Sequence, residues 1–329
     1  MRFAPAFPAL AAIVVGLTIL PVRAHADDND LVLSRLTVRN DSNGQFVPDN
    51  QQFRSLVSQL GVVLAPRFLT PADTLGYSGF QFSTELSYTT IDHTADYWCA
   101  TEEAATCGPG AKSTSAMRTV GIFARKGMWL PLPSFEVGGG ALHVLSSQMW
   151  AAQAYAKFAV HEGFHDWPIP SLAVRGAVSR LMGSEQLDLT IPSLDVTISK
   201  SFGLAGTVNV SPYAGWNVLW MIVRSEVIDK TPNVDAGVPA NSSDVLNNFV
   251  FADQDNIVRQ RFFGGLKVKY YVFAFTAEAV FALAGKSVDD RAGVDIDCGS
   301  VGPADKASCD AKDGAKAQQT YTLSLSMDF

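Results

Sequence analysis

The chain has 329 residues, 47% of them hydrophobic, and a formal charge of −7 from 32 acidic against 25 basic side chains. That acidic balance argues against a nucleic-acid binder, which would carry a basic stripe. Beyond the N-terminus no run reaches the roughly 18 apolar residues that a membrane-spanning helix needs, although mean hydropathy is positive at +0.12.

Residues 1–26 read as a cleaved secretory signal peptide. Arg2 precedes an apolar run from Phe3 to Val22, and Ala24-His25-Ala26 forms a small-x-small cleavage pattern before Asp27-Asp28. Pro5, Pro8 and Pro21 interrupt the run, which disfavours a membrane anchor. Removing Arg2 and Arg23 makes the mature chain more acidic still.

From residue 27 onward, period-2 segments bounded by turn residues suggest twelve strands. They fall at 31–39, 54–66, 79–91, 117–129, 135–146, 151–163, 171–182, 187–201, 207–227, 258–269, 273–285 and 318–329. Phe80, Phe82, Leu86 and Tyr88 opposite Gln81, Ser83, Glu85 and Ser87 give one clean example. The shorter, Pro- or Gly-rich connections alternate with longer ones, among them 92–116, 228–257 and 286–317.

Four cysteines sit in two loops, Cys99 with Cys107 and Cys298 with Cys309. A secreted chain passes through an oxidising compartment, so two local disulfides are expected. Three connectivities are formally open. Their spacings fit no common zinc site.

His161-Glu162-Gly163-Phe164-His165 matches the H-E-x-x-H metalloprotease signature. That chemistry needs a helix, where residues i and i+4 lie roughly 5–6 Å apart. On a strand they lie about 13 Å apart, with Glu162 turned to the other face. Gly163, Pro168 and Pro170 disfavour a helix here, so the motif reads as a strand end and no metal is expected. His143 with Ser146 and Ser147 is the one local Ser/His grouping, and it lacks an orienting partner. The 286–317 loop carries Asp289, Asp290, Asp295, Asp297, Asp305, Asp310 and Asp313 without EF-hand spacing, which reads as a solvated acidic loop.

The final strand is the most distinctive. Tyr321, Leu323, Leu325, Met327 and Phe329 alternate with Thr322, Ser324, Ser326 and Asp328, and the chain stops on the aromatic. One face is apolar throughout and the other polar throughout, which suits a wall between lipid and water. A soluble β-sandwich would explain the alternation but not the terminal Phe. The segment resembles the C-terminal assembly-signal strand of bacterial outer-membrane β-barrel proteins. That resemblance implies a single antiparallel transmembrane barrel over 27–329, with short periplasmic turns, long extracellular loops and an outer-membrane location. Outer-membrane lipid and the barrel-assembly machinery are then its expected partners.

Carrying the alternation around such a barrel turns Arg35, Arg39, Glu85, Lys157, Arg175, Asp195, Lys267, Lys269 and Glu278 inward. A pair between Lys267 or Lys269 and Glu278 is expected across the hairpin. The expected function is a narrow passive channel for small solutes that prefers anions. The alternative is a non-conducting structural or surface-binding barrel acting through its extracellular loops. No enzymatic activity and no cofactor are expected.

Overall fold

Two short strands and one helix precede a closed wall of strands. The computed structural model describes residues 27–39, 46–104, 106–107, 112, 114–129, 134–163, 169–204, 206–229, 248–289 and 311–329. Strands β1 (Thr37–Arg39) and β2 (Phe46–Pro48) pair with each other, Val38 opposite Val47. Helix α1 (Asn50–Val63) follows. The sheet then comprises β3 (Phe80–Thr90), β4 (Ala116–Met128), β5 (Phe135–Val144), β6 (Trp150–His161), β7 (Ser171–Met182), β8 (Leu187–Ser199), β9 (Phe202–Leu204), β10 (Val208–Ser225), β11 (Gln254–Tyr270), β12 (Phe273–Ala282) and β13 (Gln318–Asp328).

All pairings in this sheet are antiparallel. β13 returns to β3, Leu323 opposite Leu86, so the sheet closes on itself and leaves no long edge. Ten strands form the closed wall. The three residues of β9 stand outside it and pair with the first residues of β10.

The expected count of twelve is therefore corrected to ten among the described residues. The segment at 31–39 holds a turn of 3-10 helix, Leu33–Arg35, and the short strand β1, neither of which joins the wall. The segment at 54–66 is mostly helix α1. Phe53, Leu56, Val57, Leu60 and Leu64 recur at three- and four-residue steps, which is a helical period. Asp49 caps the helix by accepting a hydrogen bond from the Gln52 amide at 3.1 Å.

The described residues of connections 129–134, 162–170, 200–207 and 271–272 lie at one end of the barrel, here the turn end, together with Phe329. The described residues of connections 91–115, 145–149, 183–186, 226–253 and 283–317 lie at the other, the loop end. A disulfide joins Cys99 to Cys107 in the first of these loops. Cys298 and Cys309 lie outside the described residues, as does the proposed signal peptide at 1–26.

The outer face of the wall is apolar and bare. Ile122, Phe262, Phe275 and Leu325 expose 64%, 50%, 49% and 57% of their surfaces. A protein in water rarely exposes contiguous apolar patches of this kind. No described helix is long and apolar enough to cross a membrane, so it is the strands that present a lipid-compatible surface.

Candidate functional site: a lumen filled by the N-terminal segment

The interior of the wall changes character along its length. Toward the loop end most inward residues are apolar, among them Met117, Leu142, Leu181, Leu189, Leu219 and Ile257, with Arg259 and Gln318 buried beside them. Helix α1 enters this space and buries Phe53, Leu56, Val57 and Leu60 against them, with Leu33, Trp98 and Phe251 completing the core. Gln59 ties helix to loop: its Oε1 accepts from Trp98 Nε1 at 2.7 Å and from the Asp92 amide at 3.1 Å.

Helix α1 ends where the wall turns polar. Its C-terminal carbonyls need partners from outside the helix, and the wall supplies them. Ser179 donates to the Leu64 carbonyl at 2.7 Å, and Gln153 donates to those of Leu64 and Ala65 at 3.2 Å each. From there residues 66–75 run down the lumen without regular structure. An irregular buried segment must still satisfy its backbone, and inward side chains do so at almost every step.

Arg261 donates to the Pro66 carbonyl at 3.2 Å and Arg175 to that of Arg67 at 2.6 Å. The Leu69 amide donates to Glu278 at 3.0 Å, the Ala72 amide to Ser199 at 3.0 Å, and the Leu75 amide to Glu136 at 3.1 Å. Lys157 reaches the carbonyls of Pro71 at 3.2 Å and Asp73 at 3.0 Å. Phe68 stacks on Phe263 with ring centroids 4.1 Å apart, and the guanidinium groups of Arg175 and Arg261 lie 5.0 and 4.4 Å from its ring centre.

The same charges pair with one another, which offsets the cost of taking them out of water. Arg67 lies 3.4 Å from Glu85, and Arg175 lies 2.9 Å from Asp195. Glu136 receives both Arg125 and Lys157 at 3.2 Å and the Tyr155 hydroxyl at 2.8 Å. A void beside Phe68, Arg67 and Tyr155 measures about 30 Å³, room for a water but not for a solute.

Several residues read as lumen-lining from the sequence are placed otherwise. Glu85, Lys157, Arg175, Asp195, Lys267 and Glu278 are inward and buried, yet they grip the segment or each other rather than edge a water path. Lys269 sits at the rim. Arg35 is not on the wall; it donates to the carbonyls of Cys99, Thr101 and Ala104 and pairs with Glu102 at 3.2 Å in the loop-end cap. The side chain of Arg39 lies outside the described residues. The expected pairing of Lys267 or Lys269 with Glu278 is corrected. Both lysines meet Asp328, at 2.9 and 3.3 Å, because the register sets Glu278 opposite Gly265, nearer the loop end. Glu278 instead accepts the Tyr213 hydroxyl at 2.8 Å.

Sequence reasoning missed Arg67, Arg125, Glu136, Arg261 and Asp328. The alternation that found Lys267 also turns Arg261 inward two steps before Gly265, so that signal was present. Nothing in the sequence marks Arg67.

The H-E-x-x-H segment takes a structural role. His161 closes strand β6, and Glu162 accepts from the Thr74 amide and hydroxyl at 2.7 and 2.6 Å and from Ser134 at 2.7 Å. It pins the lower end of the threaded segment, while His165 lies outside the described residues. His143 sets a ring nitrogen 2.9 Å from the Ser147 carbonyl and packs at a tilt against Trp150. Among the described residues no group of three His, Cys, Asp or Glu side chains is arranged to hold a metal. Asp313 accepts from Ser58 at 2.6 Å and from the Ala315 amide at 2.9 Å. Burial pushes its carboxyl above the ordinary aspartate range, with those bonds and Arg259 and Arg54 opposing. Asp290, Asp295, Asp297, Asp305 and Asp310 lie outside the described residues. Tyr321, Leu323, Leu325, Met327 and Phe329 all face outward and are exposed.

No protein-family model matches the chain, and a comparison with curated protein sequences finds no match. Among solved structures it is similar to the outer-membrane expressed OmpT of Vibrio cholerae, at 8% identity and a TM-score of 0.25 over 65% of this chain and 60% of that one. The match therefore spans under two thirds of OmpT. The in-vitro folded form of the same protein gives 7% identity and a TM-score of 0.23, over 66% of this chain and 57% of that one. LpxR from Salmonella typhimurium gives 8% identity and a TM-score of 0.26, over 74% of this chain and 99% of that one. At these values the likeness is one of fold and transfers no residue roles. The expectation that the chain is not an enzyme is withdrawn, because a likeness of fold alone excludes no catalytic activity. The closed antiparallel barrel with an exposed apolar outer face bears out, at the level of class, the resemblance read from the final strand.

Proposed function

We propose that this chain is a bacterial outer-membrane barrel whose lumen is sealed by its own N-terminal segment and which acts at its loop end and outer wall. The observation that carries the reading is the threaded segment 64–75, bonded along its length to Glu136, Lys157, Arg175, Arg261 and Glu278. A passive channel would leave such charges to water. Here they hold backbone, which supports the non-conducting alternative over the anion-preferring pore. The described loop-end cap, with its Cys99–Cys107 disulfide, offers a surface for contact with molecules outside the cell.

Planar-bilayer recording of the purified, heat-modifiable protein tests this. The full chain should be silent, and deletion of residues 50–75 should produce conductance steps. Regular steps from the intact chain would return the function to solute passage.

A further inference from the structure

Hydrogen-bonded register places six outward residues of neighbouring strands in one row: Ala214, Gly264, Ala279, Tyr321, Tyr88 and Arg118. A ridge of Phe262 and Phe281 runs on its loop-end side, and a second of Leu266, Leu323 and Leu86 on its turn-end side. Along the row and its Leu266–Leu323–Leu86 ridge lies an apolar groove of about 520 Å³, floored by Gly264, Ala277 and Ala279, and Phe262 and Phe281 line a second hollow on the loop-end side of Gly264 and Ala279. Packing does not require that bare floor. A Cβ on Gly264 would find its nearest neighbour, the Tyr213 carbonyl oxygen, at 3.7 Å, an ordinary contact.

The row is oblique to the barrel axis. Strands spaced about 4.8 Å apart and tilted about 40° carry it ~15 Å in depth across five intervals, about half of a ~30 Å hydrocarbon core. Arg118 marks its shallow end, two residues from the loop-end terminus of β4, and Ala214 its deep end.

At the shallow end the groove meets a polar cleft of about 440 Å³, and Tyr88 lines both. Arg118 is exposed there and forms no ion pair with a described residue. Thr114 and Ser146 add hydroxyls. Two carboxylates share the cleft. Glu103 is held by Lys112 at 2.6 Å and by Thr114 at 3.2 Å, and Asp28 stands exposed. An unpaired guanidinium above an apolar groove, with a tyrosine at the joint, has the polarity profile of a membrane lipid.

We propose that this wall is a binding site for a phosphate-bearing membrane lipid, its phosphate on Arg118 and an acyl chain along the Gly264–Ala279 floor. The proposal rests on the reading of the wall as lipid-facing. One arginine near a charged headgroup layer contributes about fivefold in affinity.

The test uses the full chain in dodecyl maltoside, titrated with dioleoyl phosphatidylglycerol or with dioleoylglycerol, which has the same chains and no phosphate. Bound lipid is read by native mass spectrometry. The wild type should prefer the phosphate-bearing lipid about fivefold, and Arg118→Ala should abolish that preference. Gly264→Leu, which fills the groove, should weaken both lipids. Arg180→Ala should leave both unchanged, since Arg180 already pairs with Asp188 elsewhere on the wall. Millimolar inorganic phosphate should not displace the lipid. Retained preference in Arg118→Ala, or undiminished binding in Gly264→Leu, would overturn the proposal. Displacement by free phosphate would reduce the site to a phosphate cleft and overturn it too. Heat-modifiable mobility of each variant, measured in parallel, reports separately whether the lipid-facing barrel itself stands.

Discussion

At the loop end the N-terminal segment is a helix whose Phe53, Leu56 and Leu60 sink into an apolar wall; at the turn end it is an irregular strap held by arginine, lysine and glutamate. A helix satisfies its own backbone, so its neighbours need only be apolar and well packed. A strap cannot, so the wall around it must offer donors and acceptors at fixed heights. The switch in the chemistry of the wall thus follows from the secondary structure of what it encloses. The helix rests mainly on apolar lining, with Arg54, Ser58 and Gln59 bonded to Asp255, Arg259 and Trp98, whereas the strap is held by polar partners along its length.

The sharpest break should come from Glu136→Ala. It strands Arg125, Lys157, the Tyr155 hydroxyl and the Leu75 amide together, and removing one partner of a buried pair costs about 3–5 kcal/mol. The urea midpoint for loss of heat-modifiable mobility should fall accordingly. Trp98 emission should stay native until that transition, because Trp98 belongs to the apolar half. An early shift in Trp98 emission would show that the halves are not independent.

Leu60→Ala asks the converse question. It opens a cavity beside the helix and should cost roughly 2–5 kcal/mol, with a red shift of Trp98 emission in the native state. Gln59→Leu should cost about 1–3 kcal/mol, since it leaves the Trp98 indole and the Asp92 amide without their acceptor. Equal costs for Gln59→Leu and a surface substitution would mean that the loop is held by apolar contacts alone.

The smallest expected effect concerns pH. Asp313 has its carboxyl raised by burial, so its contribution is fully present below the unfolded aspartate value and is lost as pH rises through the higher folded-state value. Stability of the loop end should therefore decline over that interval, and Asp313→Asn should flatten the decline. Urea midpoints read from Trp98 across the range check this, and an unchanged slope in the variant would remove Asp313 as the cause.

The ten wall strands were legible because period-2 alternation survives wherever one face meets lipid and the other a polar interior, as from Phe273 to Ala282. Helix α1 was misread because Leu, Val and Ser crowd the 54–66 run, and such a short apolar stretch fits a strand pattern as readily as a helical one. The inward charges were legible one by one, including Lys157 and Arg175. Their purpose was not, because their partners are the backbone groups of 66–75, and a carbonyl or an amide has no signature in a sequence. Glu162 illustrates the point: its neighbours spell a metal motif, while its bonds go to Thr74 and Ser134.

The direction of threading has a consequence for assembly. Asn29 bonds to the carbonyls of Leu145 and Ser146 at the loop end, while Phe80 opens the wall at the opposite end and bonds to Phe329. The chain thus passes once through its own barrel before it begins to build it. The seam that completes the cylinder joins β3 to β13, the first wall strand to the last. The segment must already lie inside when that seam forms, or be drawn through afterwards like a cord through a ring.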